Sequence, residues 1–531
     1  MKFSLKKIMF LCAFLGSIQV AITQIVICPI IPQPQKSQKQ NTIFKINATT
    51  KIVCDDEFQL QAQYLQNELL RYKNIAAPIK NSVTGIGFIV LKKNKKIVND
   101  SESYSIKMNG EKVEILASSS VGIFNGITSF IQLVRLSDTK NFDTQVDCWN
   151  IEDAPQYSWR GLMLDESRHF FGKNKVKMIL DWMATYKMNH FHWHLTDGSG
   201  WRIEIKQYPK LALVGGIGNY TDPCSPAMYY TQDDIKEIVQ YAAERFIVVI
   251  PEIEMPGHAT AANRAYPEYS GGGSAKYPDF TYNPGKEAVY SCLTNILKEV
   301  DVLFPSQMIH IGGDEVHYGN EKWATDSLVR TLMEKEKLPD LKSVETYFFK
   351  RMADSVTNMG NKVLAWDEVA DSDLSPSNTI VFYWRDDKPE QLQKALDKGF
   401  SVVLSPRHPM YFDYVQDTTL VYGPSPKSLK NNTVEDVYNF TKNSIPVVYS
   451  ASSKVLGIQA NLWTESVVTE QQLDFMLFPR LAALSEAAWS NLPKDFELFK
   501  VRLKKHFDLY KAESVYYFDV FDKKNTAEPV P

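Results

Sequence analysis

The sequence has little cysteine, six residues among 531, and these are widely spaced. Zinc-binding knuckles place cysteines only a few residues apart, so the spacing argues against such a site. Cys12 falls in an N-terminal segment that we expect to be removed, which leaves five cysteines. At most two disulfides can then form, and at least one thiol stays free.

The sequence also lacks a large net charge and a basic stripe. Its formal net charge is -3, and the short basic run at residues 92–96 is typical of a solvated turn. We therefore expect neither a nucleic-acid partner nor a strongly charged one. The 44% of hydrophobic residues is enough for the cores of two or three domains.

The apolar run near the N-terminus is too short and too poorly flanked for a confident membrane anchor. It extends from Ile8 to about Ile22, after three lysines and before a polar chain. This pattern predicts a secretory signal peptide over residues 1–23. We expect export to a secreted, periplasmic or lysosome-like location, without a stable membrane span.

Residues 24–148 have the pattern of a small α/β domain that supports the larger C-terminal part of the chain. A polar segment from Asp138 to Asp147 leads to the predicted domain boundary. The residues upstream of it predict a helix along the face from Phe58 to Leu69, a strand at 87–91, a hairpin of 104–108 with 113–117, and a helix at 121–133.

Residues 149–531 alternate short apolar runs with helical patterns, the signature of repeated βα units. Helical patterns lie, for example, at 175–186, 233–244, 287–303 and 344–359. The predicted strands are 162–164, 190–194, 247–253, 308–311, 363–365, 380–383, 401–404 and 455–460. Eight such units predict a closed (β/α)8 barrel, completed by a C-terminal helix.

An apolar run at 309–311 is followed by two glycines and the adjacent acids Asp314 and Glu315. Two carboxylates this close repel, so one tends to stay ionised while the other keeps its proton near neutral pH. The pair therefore offers one base and one acid. Acidic pairs also cap helices, and taken alone the motif favours catalysis only modestly.

Polar and aromatic residues follow nearly every predicted strand, at the end where barrel enzymes carry their chemistry. Tryptophan rings stack on the apolar faces of a pyranose, and charged groups bind its hydroxyls, so this composition indicates a sugar pocket. The residues concerned are Asp165, Arg168, Asp197, Glu254, His258, Asp314, Glu315, Trp366, Trp384, Tyr411, Asp413, Trp463 and Glu465.

Several of these runs resemble the exo-β-N-acetylhexosaminidases of glycoside hydrolase family 20. The similarity is specific and covers most of the chain, including the opening of the small domain at residues 31–34. It is carried by residues 160–169, 192–197, 251–258, 310–315 and 462–465.

The resemblance implies retaining hydrolysis of terminal, non-reducing β-linked N-acetylglucosamine, and by extension N-acetylgalactosamine, without a metal or cofactor. The substrate's own 2-acetamido group attacks its anomeric carbon, in place of a protein nucleophile. By the resemblance Glu315 is the acid and base, Asp314 orients the acetamido N–H and Tyr411 binds its carbonyl.

The resemblance also assigns supporting roles. Trp366, Trp384 and Trp463 would enclose the acetamido methyl group, and Arg168, Asp413 and Glu465 would fix ring hydroxyls. Asp197, Glu254 and His258 would orient the acid pair. Many relatives carry an acid where this chain has Gly198, and many carry Asp where it has Glu254, so these supporting residues are where differences are expected.

A metal-dependent amidohydrolase on the same barrel is one alternative. His192 and His194 lie two apart on a predicted strand and face the same way, as two metal ligands would. Further ligands could come from His258, His310 or His317. No second clean ligand pair appears, however, and His310 lies within a strand.

A non-catalytic glycan-binding protein is the other alternative, although such a protein would be expected to have lost Asp314, Glu315 or Tyr411. The expected partner is a glycan with a terminal N-acetylhexosamine. Its source (chitin fragments, N-glycans or glycolipids) stays open, as does the choice between a monomer and a homodimer. Loops beyond the sugar pocket, such as the one at Gly271–Gly273, are expected to select the leaving group.

Overall fold

The computed structural model describes residues 26–82, 85–96, 101–422, 431–445 and 452–530. The predicted signal peptide lies outside the described residues. Within them, no helix combines the length and the apolar character needed to cross a bilayer. All five cysteines of the described part are free thiols: Cys28, Cys54, Cys148, Cys224 and Cys292.

The N-terminal domain is one mixed sheet with two helices packed against it. Its strands are β1 (Lys36–Ile46), β2 (Lys51–Cys54), β3 (Ile79–Lys80), β4 (Phe88–Lys93), β5 (Tyr104–Met108), β6 (Lys112–Ala117), β7 (Thr139–Lys140) and β8 (Asp143–Asp153). They are ordered β1-β8-β5-β6-β4-β2-β3, with β7 beside β8. The helices are α1 (Gln59–Lys73) and α2 (Ser120–Arg135).

The predicted elements of this domain are present, and the sheet is larger than predicted. The β5–β6 hairpin, β4 and both helices match the sequence patterns. Strands β1 and β8 pair antiparallel at the sheet edge, where β1 is mostly exposed and therefore shows little apolar signal. Strand β8 carries the sheet past the predicted boundary at residue 148, to Asp153.

Helix α2 lies between the two domains. The Ser119 hydroxyl caps it by accepting a hydrogen bond from the Gly122 N–H at 3.2 Å. Ile123 and Ile127 pack into the core of the small domain, whereas Phe124 packs into the core of the C-terminal domain. A helix with two apolar faces thus joins the two cores.

The C-terminal domain is a closed barrel of eight parallel strands, which confirms the predicted fold. Its strands run in the order β10-β11-β14-β15-β16-β17-β18-β9, and a two-stranded hairpin, β12–β13, lies in the loop after β11. The strands are β9 (Trp159–Asp165), β10 (His190–His194), β11 (Val248–Glu252), β12 (Ser270–Gly272), β13 (Thr281–Tyr282), β14 (Met308–His310), β15 (Lys362–Trp366), β16 (Thr379–Tyr383), β17 (Ser401–Leu404) and β18 (Val455–Leu462).

Helices surround the barrel. They are α3 (Lys173–Thr185), α4 (Lys210–Leu213), α5 (Gln232–Ala243), α6 (Thr260–Ala265), α7 (Glu287–Leu303), α8 (Ser327–Glu336), α9 (Leu341–Asn358), α10 (Pro389–Asp397), α11 (Arg407–Met410), α12 (Val434–Asn439), α13 (Glu470–Leu477), α14 (Arg480–Trp489) and α15 (Phe496–Ala512). Of these, α3, α5, α7, α9 and the C-terminal α15 lie at predicted positions.

The strand register brings polar residues together at one end of the barrel. Asp165 pairs with His194, and His194 pairs in turn with Glu252, so the carboxyl ends of β9, β10 and β11 are level. The loops that leave these ends carry most of the residues singled out from the sequence, which places them around one opening.

Candidate active site

A cavity of about 290 Å³ opens at the carboxyl ends of the barrel strands. This volume is at the lower end of the range of small-molecule sites, about 300–1,000 Å³. His258 lines it, and so do all nine predicted catalytic and substrate-binding residues. These nine are Arg168, Asp314, Glu315, Trp366, Trp384, Tyr411, Asp413, Trp463 and Glu465. Of the predicted supporting residues, Asp197 and Glu254 lie behind this wall.

Arg407 and Tyr414 also line the cavity and were not predicted. They lie on the segment around Tyr411, beyond the end of β17, where no strand pattern marks them. Their proximity in sequence to Tyr411 is the signal that could have identified them.

A sharp turn after β14 places the acid pair, Asp314 and Glu315, at the cavity. Gly312 and Gly313 have φ angles of +66° and +99°, which residues with a Cβ adopt with difficulty, and Glu315 itself has φ of +53°. A Cβ on Gly312 would overlap the carboxylate of Glu254, and one on Gly313 would lie 2.8 Å from the Phe349 ring. With Glu254 and Phe349 in place, this backbone path therefore requires glycine at both positions.

His258 bridges the acid pair and Asp197. Its Nε2 lies 3.5 Å from Asp314 Oδ2 and 3.7 Å from Glu315 Oε2, and its Nδ1 lies 3.2 Å from Asp197 Oδ1. Burial favours the neutral imidazole, but the charges of Asp197 and Asp314 outweigh it and raise the pKa of His258 well above its usual value. A protonated ring between the carboxylates is the result.

Glu315 has the electrostatic character of a general acid. Burial, followed by the neighbouring charge of Asp314, raises the pKa of its carboxyl group, while His258 and Arg168 partly oppose this shift. A raised pKa keeps the proton on Glu315 at pH values where an ordinary glutamate has lost it.

Arg168 organises the opposite wall of the cavity. Its guanidinium lies 2.8 Å from Asp197, 3.2 Å from Asp165 and 3.5 Å from Glu465, and 4.9 Å from the centre of the Trp463 ring. Despite burial, Arg168 and His258 hold the pKa of Asp197 below its usual value. Arg168 thereby connects this wall to the acid pair through Asp197 and His258.

Two further carboxyl groups face the cavity beside Arg168. Burial, together with the charge of Glu465, raises the pKa of Asp413 well above its usual value, and burial also raises the pKa of Glu465. Oδ1 of Asp413 is buried and has no hydrogen-bond partner within the protein. A ligand hydroxyl would satisfy it.

Aromatic rings form the remaining walls. Trp384 stacks on Tyr411, with ring centres 6.4 Å apart and planes at 14°, and Trp366 lies 5.9 Å from Trp463. The indole N–H of Trp366 donates to Glu252 at 2.8 Å, and that of Trp384 donates to Glu368 at 3.1 Å. These hydrogen bonds fix the two rings in place, and Glu368 is a supporting residue that the sequence patterns missed.

Glu254 supports the turn from below. Its Oε1 lies 3.6 Å from Nε2 of His194. Burial, followed by the charges of Asp314 and Glu252, raises the pKa of Glu254 well above its usual value. A carboxyl group that keeps its proton can lie beneath Asp314 without adding a second negative charge.

The histidines of the metal-site hypothesis are not brought to one point. His192 lies 2.8 Å from Glu252 inside the barrel, and His310 contacts the same carboxylate at 2.8 Å, whereas His194 contacts Asp165 at 3.0 Å. His258 belongs to the acid pair, and His317 is exposed. Across the described ranges, at most two of these five histidines share a cluster that could hold an ion.

Two protein-family domains match the chain. Residues 157–492 match the catalytic domain of glycosyl hydrolase family 20, and residues 28–154 match domain 2 of the same family. Together they span the barrel and the small domain.

Characterised relatives and solved structures of similar sequence agree with these matches. A β-hexosaminidase of Porphyromonas gingivalis is 33% identical over 89% of this chain, and one of Vibrio furnissii is 31% identical over 88%. The matches span 62% and 77% of those proteins, so the chain covers less than two thirds of the first. An exo-β-N-acetylglucosaminidase of Vibrio harveyi, solved with N-acetylglucosamine, superposes with a TM-score of 0.85 at 30% identity, covering 93% of this chain and 79% of that one.

Proposed function

Since the chain belongs to glycosyl hydrolase family 20, we propose that it is an exo-acting β-N-acetylhexosaminidase. It removes terminal, non-reducing β-linked N-acetylglucosamine or N-acetylgalactosamine from glycans, with retention of configuration. The observation that carries the proposal is the Asp314–Glu315 pair, which faces a cavity walled by three tryptophans and Tyr411.

In the first step the acetamido carbonyl oxygen of the substrate attacks its own anomeric carbon. The bond from that carbon to the leaving oxygen breaks as Glu315 donates its proton to the oxygen, which leaves an oxazolinium ring. The Asp314 carboxylate accepts the acetamido N–H and stabilises the positive charge, and the Tyr411 hydroxyl donates to the acetamido oxygen. The attack is intramolecular, so much of its entropic cost is already met by the substrate.

In the second step water attacks the same carbon from the side that the leaving group vacated. The Glu315 carboxylate takes the water proton, the bond to the acetamido oxygen breaks, and the acetamide is restored. Two inversions give net retention. His258 stabilises the negative charge that Glu315 carries between the two steps.

The walls of the cavity account for the choice of sugar. Trp366, Trp384 and Trp463 surround the acetamido methyl group with apolar surface, which an unacetylated amine or a hydroxyl would not match. Arg168, Asp413 and Glu465 bind the ring hydroxyls, and the buried acceptor on Asp413 supports this role.

The test is the release of an aryl group from a β-N-acetylglucosaminide with excess chelator present, alongside a Glu315→Gln variant. We expect chelator-resistant release that is lost in the variant. NMR during early turnover should show the β-anomer as first product, and an α-anomer would exclude this mechanism. Binding of the glycoside without release would indicate a glycan-binding protein, and release abolished by chelator would indicate a metal-dependent hydrolase.

We also propose, from the pattern of residues 1–23, that the chain is exported. N-terminal sequencing of the protein recovered from its native source tests this. A sequence starting near Gln24 is expected, and retention of Met1 would contradict export by a cleaved signal.

A further inference from the structure

A continuous run of aromatic rings leads from the cavity to the protein surface. His258, in the cavity wall, lies 4.7 Å from the Phe280 ring, and Phe280 lies 5.6 Å from Tyr277. Tyr277 stacks on Tyr318, with centres 5.7 Å apart and planes at 24°. The first two rings are buried, Tyr277 is half-buried and Tyr318 is 41% exposed.

The backbone ties Tyr318 to the acid. Tyr318 closes the short 3-10 turn Val316–Tyr318 that follows Glu315, and its N–H donates to the Glu315 carbonyl oxygen at 2.9 Å. The charge of Glu315 is also the largest cause of the raised pKa of the Tyr318 phenol, as expected for two side chains close together. Tyr318 is therefore held close to the proton donor.

Tyr277 is held by its own loop. Its N–H donates to the Ser274 hydroxyl at 3.2 Å, and the Lys276 ammonium lies 4.8 Å from the ring centre. Phe280 packs closely against Gly319, where a Cβ would lie 2.5 Å from the Phe280 ring. Contacts within the loop of Tyr277 and within the turn of Tyr318 thus hold the two tyrosines in place. Neither tyrosine belongs to the core of the barrel.

Tyr277 and Tyr318 lie outside the cavity that we assign to the cleaved sugar. Neither tyrosine lines the cavity, whereas the three tryptophans and Tyr411 do. The leaving oxygen must receive its proton from Glu315, so the leaving residue passes Glu315 on its way out of the cavity. Tyr318, next to the exposed His317, is the exposed tyrosine in the same turn.

We propose that Tyr277 and Tyr318, which we call the tyrosine ledge, bind the sugar ring on the leaving-group side of the scissile bond. The ligand is a glycan whose second residue is a pyranose with an apolar C–H face, which stacks on exposed aromatic rings. This proposal rests on the proposed function. It makes oligosaccharides better substrates than glycosides with a small leaving group.

The experiment compares two substrates, the β-1,4-linked disaccharide of N-acetylglucosamine and the methyl β-glycoside of the same sugar. The quantity measured is the ratio of their kcat/KM values. Tyr318→Ala and Tyr277→Ala should each lower this ratio about tenfold, the order of magnitude of a lost aromatic stacking contact. Tyr318→Phe and Tyr277→Phe keep the rings and should keep the ratio.

Phe142→Ala is the matched control, because it removes a ring that is 92% exposed on the small domain. Tyr318→Gln provides a second variant that lacks the ring in case Tyr318→Ala fails to fold, as judged by thermal unfolding. If the ratio is unchanged in the alanine or glutamine variants, the tyrosine ledge does not bind the leaving-group sugar. Absence of hydrolysis of both glycosides by the unsubstituted protein would overturn the proposed function, and the ledge with it.

Discussion

A cluster of carboxylates and histidines inside the barrel resembles in composition a second one at its mouth. In the interior, Glu252 contacts His192 and His310 at 2.8 Å each and accepts the indole N–H of Trp366, and all four side chains are buried. At the mouth, Asp314 and Glu315 share His258 and face the cavity. Only the second cluster is open to a substrate.

The two glutamates differ in the direction in which their pKa is shifted. Although Glu252 is fully buried, the surrounding His310, His192 and His194 hold its pKa well below the usual range. Burial and the charge of Asp314 raise the pKa of Glu315 instead. Carboxylates and histidines alone therefore do not identify a catalytic site, because the balance between like and opposite charges decides which group can transfer a proton.

The largest expected effect is the loss of kcat when the cluster at the mouth of the barrel is substituted. Glu315→Gln removes the proton donor, and kcat for a disaccharide should fall roughly a thousandfold, within the usual range for general acid catalysis. The free energy of unfolding should change little, because this side chain is partly exposed. Steady-state kinetics and urea unfolding measure the two quantities.

Glu497→Gln, on a side chain that is 81% exposed on α15, is the matched control and should leave both quantities unchanged. Retention of most of the disaccharide turnover by Glu315→Gln would show that another group donates the proton.

A substitution in the interior cluster should mainly lower the free energy of unfolding. Glu252→Gln removes the charge on which His192, His310 and Trp366 converge, so the free energy of unfolding should fall by about 2–3 kcal/mol, the value of hydrogen bonds to a charged group. Urea unfolding measures this loss, again beside Glu497→Gln. A variant as stable as the unsubstituted protein would mean that Glu252 does not carry a negative charge.

The pH dependence of kcat/KM should reflect the cluster at the mouth, because Glu315 belongs to it. Glu315 must be protonated to act, so kcat/KM should fall as pH rises through its raised pKa. His258 lowers that pKa, so His258→Gln should move the falling limb to higher pH while also slowing turnover. A limb that stays in place or moves to lower pH would contradict the charge assigned to His258.

The smallest expected effects are at Trp366, which belongs to both regions because its ring lines the cavity and its N–H donates to Glu252. Trp366→Phe should lower the free energy of unfolding by about 1.5 kcal/mol and raise KM a few-fold, since a hydrogen bond to the charged Glu252 and part of an aromatic wall are lost. Trp323→Phe is the control, since its N–H donates to Thr281 at 2.9 Å away from the cavity. An unchanged KM in Trp366→Phe, or a KM that rises equally in both variants, would remove Trp366 from the sugar pocket.

Much of the fold could be predicted from the sequence because the barrel strands are buried on both faces and form continuous apolar runs. The predicted strands 308–311 and 401–404, for example, lie at β14 and β17. The edge strand β1 was not predicted, because pairing within the sheet stabilises it while its side chains stay in water. Its sequence has no hydrophobic pattern to mark it.

The candidate site was predictable as far as residues follow strand ends or match a family motif. Asp314, Glu315 and Trp366 meet that condition. Arg407 and Tyr414 do not, because an irregular segment after β17 turns them toward the cavity. The contact of His192 with Glu252 was also beyond the sequence. Glu252 lies on the neighbouring strand, two residues beyond Ile250, which pairs with His192, and the two side chains meet at 2.8 Å.

The close contact between the Gly312 α-carbon and the Glu254 carboxylate restricts how this chain can be redesigned. A side chain at position 312 needs the space that Glu254 fills, and its φ of +66° already disfavours most residues. A shorter residue at 254 would open that space, so a substitution at 312 requires one at 254, whereas residue 254 can be shortened alone. A combinatorial library over both positions should therefore contain active pairs whose substitution at 312 alone is inactive, and mutagenesis that begins at 312 would not reach them.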